Sequence, residues 1–272
     1  MAMLPGTIVP QPQGLGRRYG LLTAAIGPMD MPAHGAGGGV QYEDETCGAA
    51  HPYPLNCEPE DRPEKTFDDG NAQVEGRPFA VLASMLCGAV GFTQDEFRNK
   101  IERRLEGGEQ WAAEYALWHG ENESGVELDI ETIGDAPEVG GTYDPSHLAS
   151  VIAALEQYAY GDQRYGGTAY IHAPVGVAAW ANTFGELVIK DGPLYRTPMG
   201  SIWVFGGGYP ADDGLRITGQ VNVWRSAASF TFPPDQTMDR TTNQRRLLSE
   251  REYAIAFDCL AGSADFNPLE VS

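Results

Sequence analysis

Five histidines, a triple glycine, a run of carboxylates and four cysteines are the residues of this 272-residue chain whose types and spacing invite a test for chemistry. His34, His51, His119, His147 and His172 lie far apart and form no HExxH or similar helical pair, so a zinc site has no support from them. His172, between Ile171 and Ala173, is expected to be buried because the segment around it is apolar, but no serine, cysteine or carboxylate accompanies it in a catalytic motif. Gly206-Gly207-Gly208 follows an apolar run, yet a phosphate loop needs a helix N-terminus directly after its glycines, whereas Tyr209-Pro210-Ala211-Asp212-Asp213-Gly214 continues as a turn. There is no GxSxG elbow. Glu121, Glu123, Glu127, Asp129 and Glu131 can in principle hold a divalent cation, but the glycine and terminal glutamate of a calcium loop are missing, which favours a solvated or interfacial acidic strand. Cys47, Cys57, Cys87 and Cys259 are too few for a disulfide scaffold and are expected to remain thiols in a reducing compartment, with a Cys47–Cys57 bridge as the alternative. The chemistry-bearing residues therefore predict no catalytic residue, no cofactor and no metal.

Composition bounds the remaining classes. Hydrophobic residues make up 42% of the chain, enough for one large domain or two small ones around a real core. With 18 Lys and Arg against 38 Asp and Glu, the formal charge of -20 repels DNA and anionic membranes and argues against sequence-specific nucleic-acid binding. Three lysines (Lys65, Lys100, Lys190) accompany fifteen arginines, a bias that favours forked ion pairs at interfaces. No run of about 18 apolar residues is present, and the opening MAMLPGTIVPQPQG lacks the pattern of a secretory signal, so synthesis in the cytoplasm is expected.

Residues 1–76 are rich in Gly, Pro and acid, as in GAGGG at 35–39 and EPEDRPEKTFDDG at 58–70, and lack a core of their own. Leu21, Leu22, Ile26, Val40, Tyr42 and Tyr53 nevertheless recur there, so the segment either folds against something else, such as a neighbouring subunit, or is an irregular tail. Deleting it is expected to leave a soluble domain.

The next block predicts a helix from Gln94, with Thr93 as cap, Glu96 returning a bond and Phe92 stapling onto Phe97. Phe97, Ile101 and Leu105 form its apolar face, Gly107-Gly108 is expected to interrupt it, and Trp111, Tyr115 and Trp118 resume a packed stripe as far as Gly120. Asp144-Pro145 predicts a further helix with Leu148, Val151, Ile152 and Leu155 buried and Gly161 closing it. Thr168–Ala173 reads as a strand, Pro174 as the start of a helix capped by Gly185, Glu186–Lys190 and Ser201–Phe205 as strands with a tight turn at Asp191-Gly192. Leu215–Trp224 alternates as one half-buried strand, Pro233-Pro234 breaks the pattern, and Tyr253–Leu260 returns as a strand. The whole is a mixed α+β chain without a solenoid repeat.

From residue 78 onward the order of these elements resembles the major capsid proteins of tailed phages, the HK97-like fold. EQWAAEYALWHGENESG (109–125) looks like the end of the spine helix of that family, and LASVIAALEQYAYGDQRYGGTAYIHAPVGVAAWANTFG (148–185) looks like the helix, strand and Pro-started helix of its axial domain. LYRTPMGSIWVF (194–205) is similar to the strand that follows, and the segment 222–259, with Asn243, Arg245, Glu250 and Arg251, resembles the C-terminal return. The resemblance implies an α+β chain with an N-terminal arm and extended loop at 1–76, a spine helix and peripheral (P) domain at 77–135, a mixed α/β axial (A) domain at 136–230 and a return to the peripheral domain at 231–272. It implies a structural virion protein, not an enzyme, that assembles in the host cytoplasm into pentamers and hexamers of an icosahedral shell. Such a shell encloses double-stranded DNA without reading its sequence and involves scaffold, portal or decoration proteins but no membrane. Arg240, Arg245, Arg246 and Arg251 are the expected subunit-interface residues, pairing with carboxylates within or between subunits, against the alternative of a solvated turn. A decoration, head-tail connector or tail subunit, or a nanocompartment shell protein, is the competing class.

Overall fold

The computed structural model describes residues 19–48, 50–53, 64–65, 71–88, 93–183, 186–231 and 244–267. In chain order, a helical turn α1 (Leu21–Ala24) precedes strand β1 (Ile26–Asp30) and a second turn α2 (Gly35–Gly38). Strands β2 (Val40–Asp44) and β3 (Ala72–Gly76) pair antiparallel as a separate two-stranded sheet and lead into the 11-residue β4 (Pro78–Gly88) and the 26-residue helix α3 (Gln94–His119). Helix α4 (Leu148–Glu156) continues as a π turn over Gln157–Asp162 and is followed by β5 (Tyr170–Pro174) and α5 (Val177–Thr183). Then come β6 (Ile189–Asp191), β7 (Leu194–Arg196), β8 (Ile202–Gly206), β9 (Leu215–Thr218), β10 (Val221–Arg225) and β11 (Ser229–Thr231), before the 14-residue β12 (Gln244–Phe257) and the closing β13 (Ala261–Ala264).

Two larger sheets carry the molecule. The first runs β1-β10-β12-β11, with β4 on the other side of β12 over the whole register from Pro78↔Ala254 to Gly88↔Gln244. Phe79, Val81 and Ala83 on β4 point inward and alternate with exposed Ala80, Leu82, Ser84 and Leu86, as a strand with one wet face requires. The inward row meets Phe97, Ile101 and Leu105 of α3 and Leu247, Tyr253 and Ile255 of β12 in one core. The second sheet runs β13-β9-β5-β8-β7-β6, with β5 parallel to β8 and antiparallel to β9. Every residue of β5, β8 and β9 is buried because both faces are covered. Tyr170, Ile202 and Val204 face the α3 core, while Ile171, Ala173, Trp203, Phe205, Leu215 and Ile217 face a second core under α4 and α5.

Several expectations are corrected by this packing. Helix α3 runs unbroken through Gly107 and Gly108, which sit on its exposed side while Leu105, Glu109 and Ala113 carry the buried stripe past them. Two glycines cost a helix roughly 2 kcal/mol of intrinsic propensity, and a tertiary core of this length overrides that. The capping box at Thr93 and Glu96 forms as expected, with Glu96 N–H on Thr93 Oγ1 at 3.3 Å and Thr93 N–H on Glu96 Oε2 at 2.7 Å, whereas the Phe92 staple lies outside the described residues. Of the aromatic stripe only Trp118 is core; Trp111 and Tyr115 stack at 5.1 Å, and Tyr115 on His119 at 4.2 Å, along a partly exposed face.

Helix α4 begins at Leu148 because Asp144 spends its carboxylate on Ser146 N–H (2.9 Å) and the Ser146 hydroxyl (2.7 Å), closing a turn ahead of the helix. It does not stop at Gly161 but passes through it as the π turn. Pro174 ends β5 instead of opening α5, which starts at Val177; Gly185 and Pro233-Pro234 are outside the described residues. Leu215–Trp224 is two strands in two different sheets, divided at Gly219-Gln220. A Cβ on Gly219 would lie 2.7 Å from Asp258 Cβ, so only glycine lets the chain pass between the sheets there. The apolar residues early in the chain fold against the body of the same subunit: Leu21 is fully buried in the α3 core, and β1 lies parallel to β10.

Candidate assembly surface

The helix that spans the core carries two buried carboxylates, and both organise strands or loops instead of reacting groups. Glu109 continues the Phe97, Ile101, Leu105 series at the next i+4 position and meets the Nη1 of Arg251, the Nη1 of Arg225 at 3.1 Å and the hydroxyl of Tyr253 at 2.8 Å. Burial, reinforced by Glu109, pushes the Tyr253 phenol up to about 12. Five residues on, Glu114 accepts the backbone N–H groups of Gly207 (2.7 Å) and Gly208 (3.1 Å) with one oxygen and that of Leu21 (3.1 Å) with the other. The triple glycine is thus an anion-binding turn already filled by a carboxylate of its own chain. Gly208 is obligatory for it, since a Cβ there would meet the helix backbone at Trp111 O (2.5 Å) and Tyr115 N (2.6 Å). The sequence flags Glu109 only through its place in the apolar series, and nothing local flags Glu114.

His172 is buried, as expected. Its ring nitrogens bond the hydroxyls of Tyr209 (2.9 Å) and Thr218 (3.0 Å), and desolvation lowers its pKa to about 3, which keeps the imidazole neutral. Those partners make it a packed hydrogen-bonding histidine and not a base aimed at a nucleophile. The acidic run is not a strand: Glu121 and Glu127 form a lone antiparallel bridge, and Asn122 closes the turn between them by accepting Ser124 N–H at 2.9 Å and Val126 N–H at 3.0 Å. Asp129 pairs with exposed Arg77 at 2.6 Å.

The structure pairs two of the cysteines in a way the sequence did not suggest. Cys47 is bonded to Cys259, not left as a thiol and not paired with Cys57, which lies outside the described residues. Sequence separation hid the pair, since its members stand 212 positions apart. Asp44 lies against it, and among the described residues Asp44, Cys47 and Cys259 are the group whose ligand atoms come close enough for a metal ion; sulfurs joined to each other are not thiolate ligands.

The expected interface arginines are spread along one strand. Arg240 lies outside the described residues; Arg245 occupies the β12 register position opposite Cys87, and its side chain is not described. Arg246 is exposed opposite Leu86, and Arg251 is engaged inward by Glu109. Around Arg246, the outer face of the β4–β12 ladder brings together Leu82 (58% exposed) and Leu86 (54% exposed) with Leu248, Glu250 and Glu252, cross-strand partners sharing one face. Further exposed apolar side chains are Met199 between β7 and β8 (71% exposed), Val175 just after β5, Trp180 on α5 and Ile189 on β6. Large apolar groups clustered at the surface and rimmed by charge mark contact with another macromolecule.

No family model matches this chain, and no curated protein matches it. Solved structures do. A structure from Mycobacterium phage Ogopogo superposes with a TM-score of 0.57 at 14% identity over 93% of each chain. The capsid of a native GTA particle, computed with C5 symmetry, matches with a TM-score of 0.56 at 10% identity over 96% of each chain, and a structure from Gordonia phage Cozz with a TM-score of 0.54 at 12% identity over 93% of this chain and 87% of the other. The α+β, HK97-like fold expected from the sequence is the fold these chains share.

Proposed function

We propose that this chain is the major capsid subunit of a tailed phage or a related particle, joining copies of itself into the pentamers and hexamers of an icosahedral shell. The observation that carries the reading is the end-to-end likeness to a GTA capsid chain, 96% of each chain, with neither side contributing a large unmatched domain. The arrangement of side chains points the same way. Each buried carboxylate described above is consumed by the scaffold, whereas exposed apolar and charged groups share the outer β4–β12 face. Such a molecule works through broad heterologous contacts that close into rings or tile a shell.

In this reading residues 1–76 supply the arm and extended loop, 77–135 the spine helix and peripheral domain, 136–230 the axial domain and 231–272 the return to the peripheral domain. Arg240, Arg245 and Arg246 belong to the subunit interface, while Arg251 supports that face from beneath through Glu109. The excess of acid leaves a wall along which packaged double-stranded DNA slides without adhering. The particle is the site of action, assembly takes place in the host cytoplasm, and portal, scaffold or decoration proteins are partners. Among the described residues no helix is long and apolar enough to cross a membrane.

Negative-stain electron microscopy of the purified chain, alone and co-expressed with the neighbouring virion genes, should show closed hollow shells. Discrete rings or tubes in place of shells would shift the assignment to a connector or tail subunit, and a monomer at every concentration with every partner would overturn it.

A further inference from the structure

We propose that Cys47 and Cys259 form a redox-governed clasp that fixes the base of the β2–β3 pair to the crossing between the two large sheets. The chain steps directly from one sheet to the other at Gly219-Gln220 and at Asp258-Cys259-Leu260, and these two passages are bonded to each other by Gly219 N–H to Leu260 O (2.9 Å) and Asp258 N–H to Gln220 O (3.1 Å). Cys259 sits in this double crossing and Cys47 three residues beyond β2, with their Cα atoms 6.2 Å apart, inside the range a disulfide spans without backbone movement.

The approach does not depend on the bond itself. Asp44 accepts Thr46 N–H (2.7 Å) with one oxygen and Cys259 N–H (3.1 Å) with the other, holding both cysteine-bearing segments across one buried carboxylate. Asp258 adds a second tie, accepting the hydroxyls of Tyr42 of β2 and of Tyr165, each at 2.8 Å. In the reduced chain the two thiols are therefore already gathered.

Cys259 is exposed and Cys47 half-buried, so small thiol reagents reach the pair. Oxidation by a low-molecular-weight disulfide is balanced in two steps. The Cys259 thiolate attacks one sulfur of the reagent and expels one small thiol, leaving a mixed disulfide; the Cys47 thiolate then displaces the second small thiol from Cys259. The two protons of the cysteines leave on the two released thiols. Inside a reducing cell the equilibrium favours the open pair, and outside it the closed one. Closing a loop with a sequence separation of 212 residues constrains the unfolded chain far more than a local bridge would. The value of the clasp to a shell that leaves the host rests on the capsid reading; the clasp itself is tested on the isolated chain.

Purified protein is reduced, exchanged into an equimolar buffer of reduced and oxidised glutathione, alkylated and mapped by mass spectrometry. Two of the four thiols should disappear into a Cys47–Cys259 cross-linked peptide, with Cys57 and Cys87 still alkylated. Reductant should lower the melting temperature of the oxidised wild type by about 10 °C, the scale set by loop entropy in a chain of this size. Cys47→Ser and Cys259→Ser should show no such response. If the serine variants fail to fold, the wild-type map and melting shift decide alone. Four alkylated thiols after exchange, a Cys47–Cys57 peptide, or a reduced chain that retains one zinc ion per molecule and resists oxidation would each overturn the proposal.

Discussion

At the scale of single residues, His172 and Glu109 are buried polar groups whose hydrogen bonds hold the fold together, which makes them sensitive probes. His172 is neutral in the folded chain down to a pKa of about 3, whereas the unfolded chain takes up its proton near 6.5. The unfolded state therefore binds more protons between these values, so stability is fully present above pH 6.5 and drains away as pH falls toward 3. At pH 5 this one group should cost about 2 kcal/mol relative to pH 7.5, read from urea unfolding at the two pH values. His172→Gln should remove that part of the pH dependence, and an equal acid loss in the variant would assign it elsewhere. Glu109→Ala leaves the half-buried guanidinium of Arg251 without its buried carboxylate and should destabilise by about 3–5 kcal/mol. Full stability in that variant would contradict the role given to the ion pair.

At the scale of elements, α3 shows how a core overrides local preference. Gly107 and Gly108 are exposed, and a Cβ added to either meets nothing within 4 Å. Gly107→Ala and Gly108→Ala should therefore each stabilise by about 0.5–1 kcal/mol, seen as a rise of a few degrees in melting temperature. A loss instead would mean that the break expected from the sequence is used in another state. Thr93→Ala opens the capping box and should cost about 1 kcal/mol. The first 76 residues also change standing. Removing them takes away Leu21, the strand β1 beside β10 and the Leu21 N–H held by Glu114, so the truncated chain loses part of its core along with any arm.

At the scale of the whole molecule, the prediction concerns association. On the capsid reading, Leu82→Asp or Leu86→Asp should leave the melting temperature nearly unchanged while abolishing shells in sedimentation and microscopy, because both side chains are already in water in the free subunit. Arg246→Glu should act similarly and in a salt-dependent way. The sequence by itself determined whatever rests on local order: the cap at Thr93, the apolar series from Phe97 to Leu105, the buried face of α4, the strand around His172 and the turn at Asp191-Gly192. It also carried the succession of elements that makes the fold recognisable, because periodicity and turn chemistry are written between near neighbours. Only the tertiary structure decided that Glu114 fills the triple-glycine turn, that Cys47 meets Cys259, that Leu215–Trp224 divides between two sheets and that Arg251 turns inward while Arg246 faces out. Each of these depends on segments tens to hundreds of residues apart, and a single chain leaves no local trace of which distant groups burial will bring within a few ångströms.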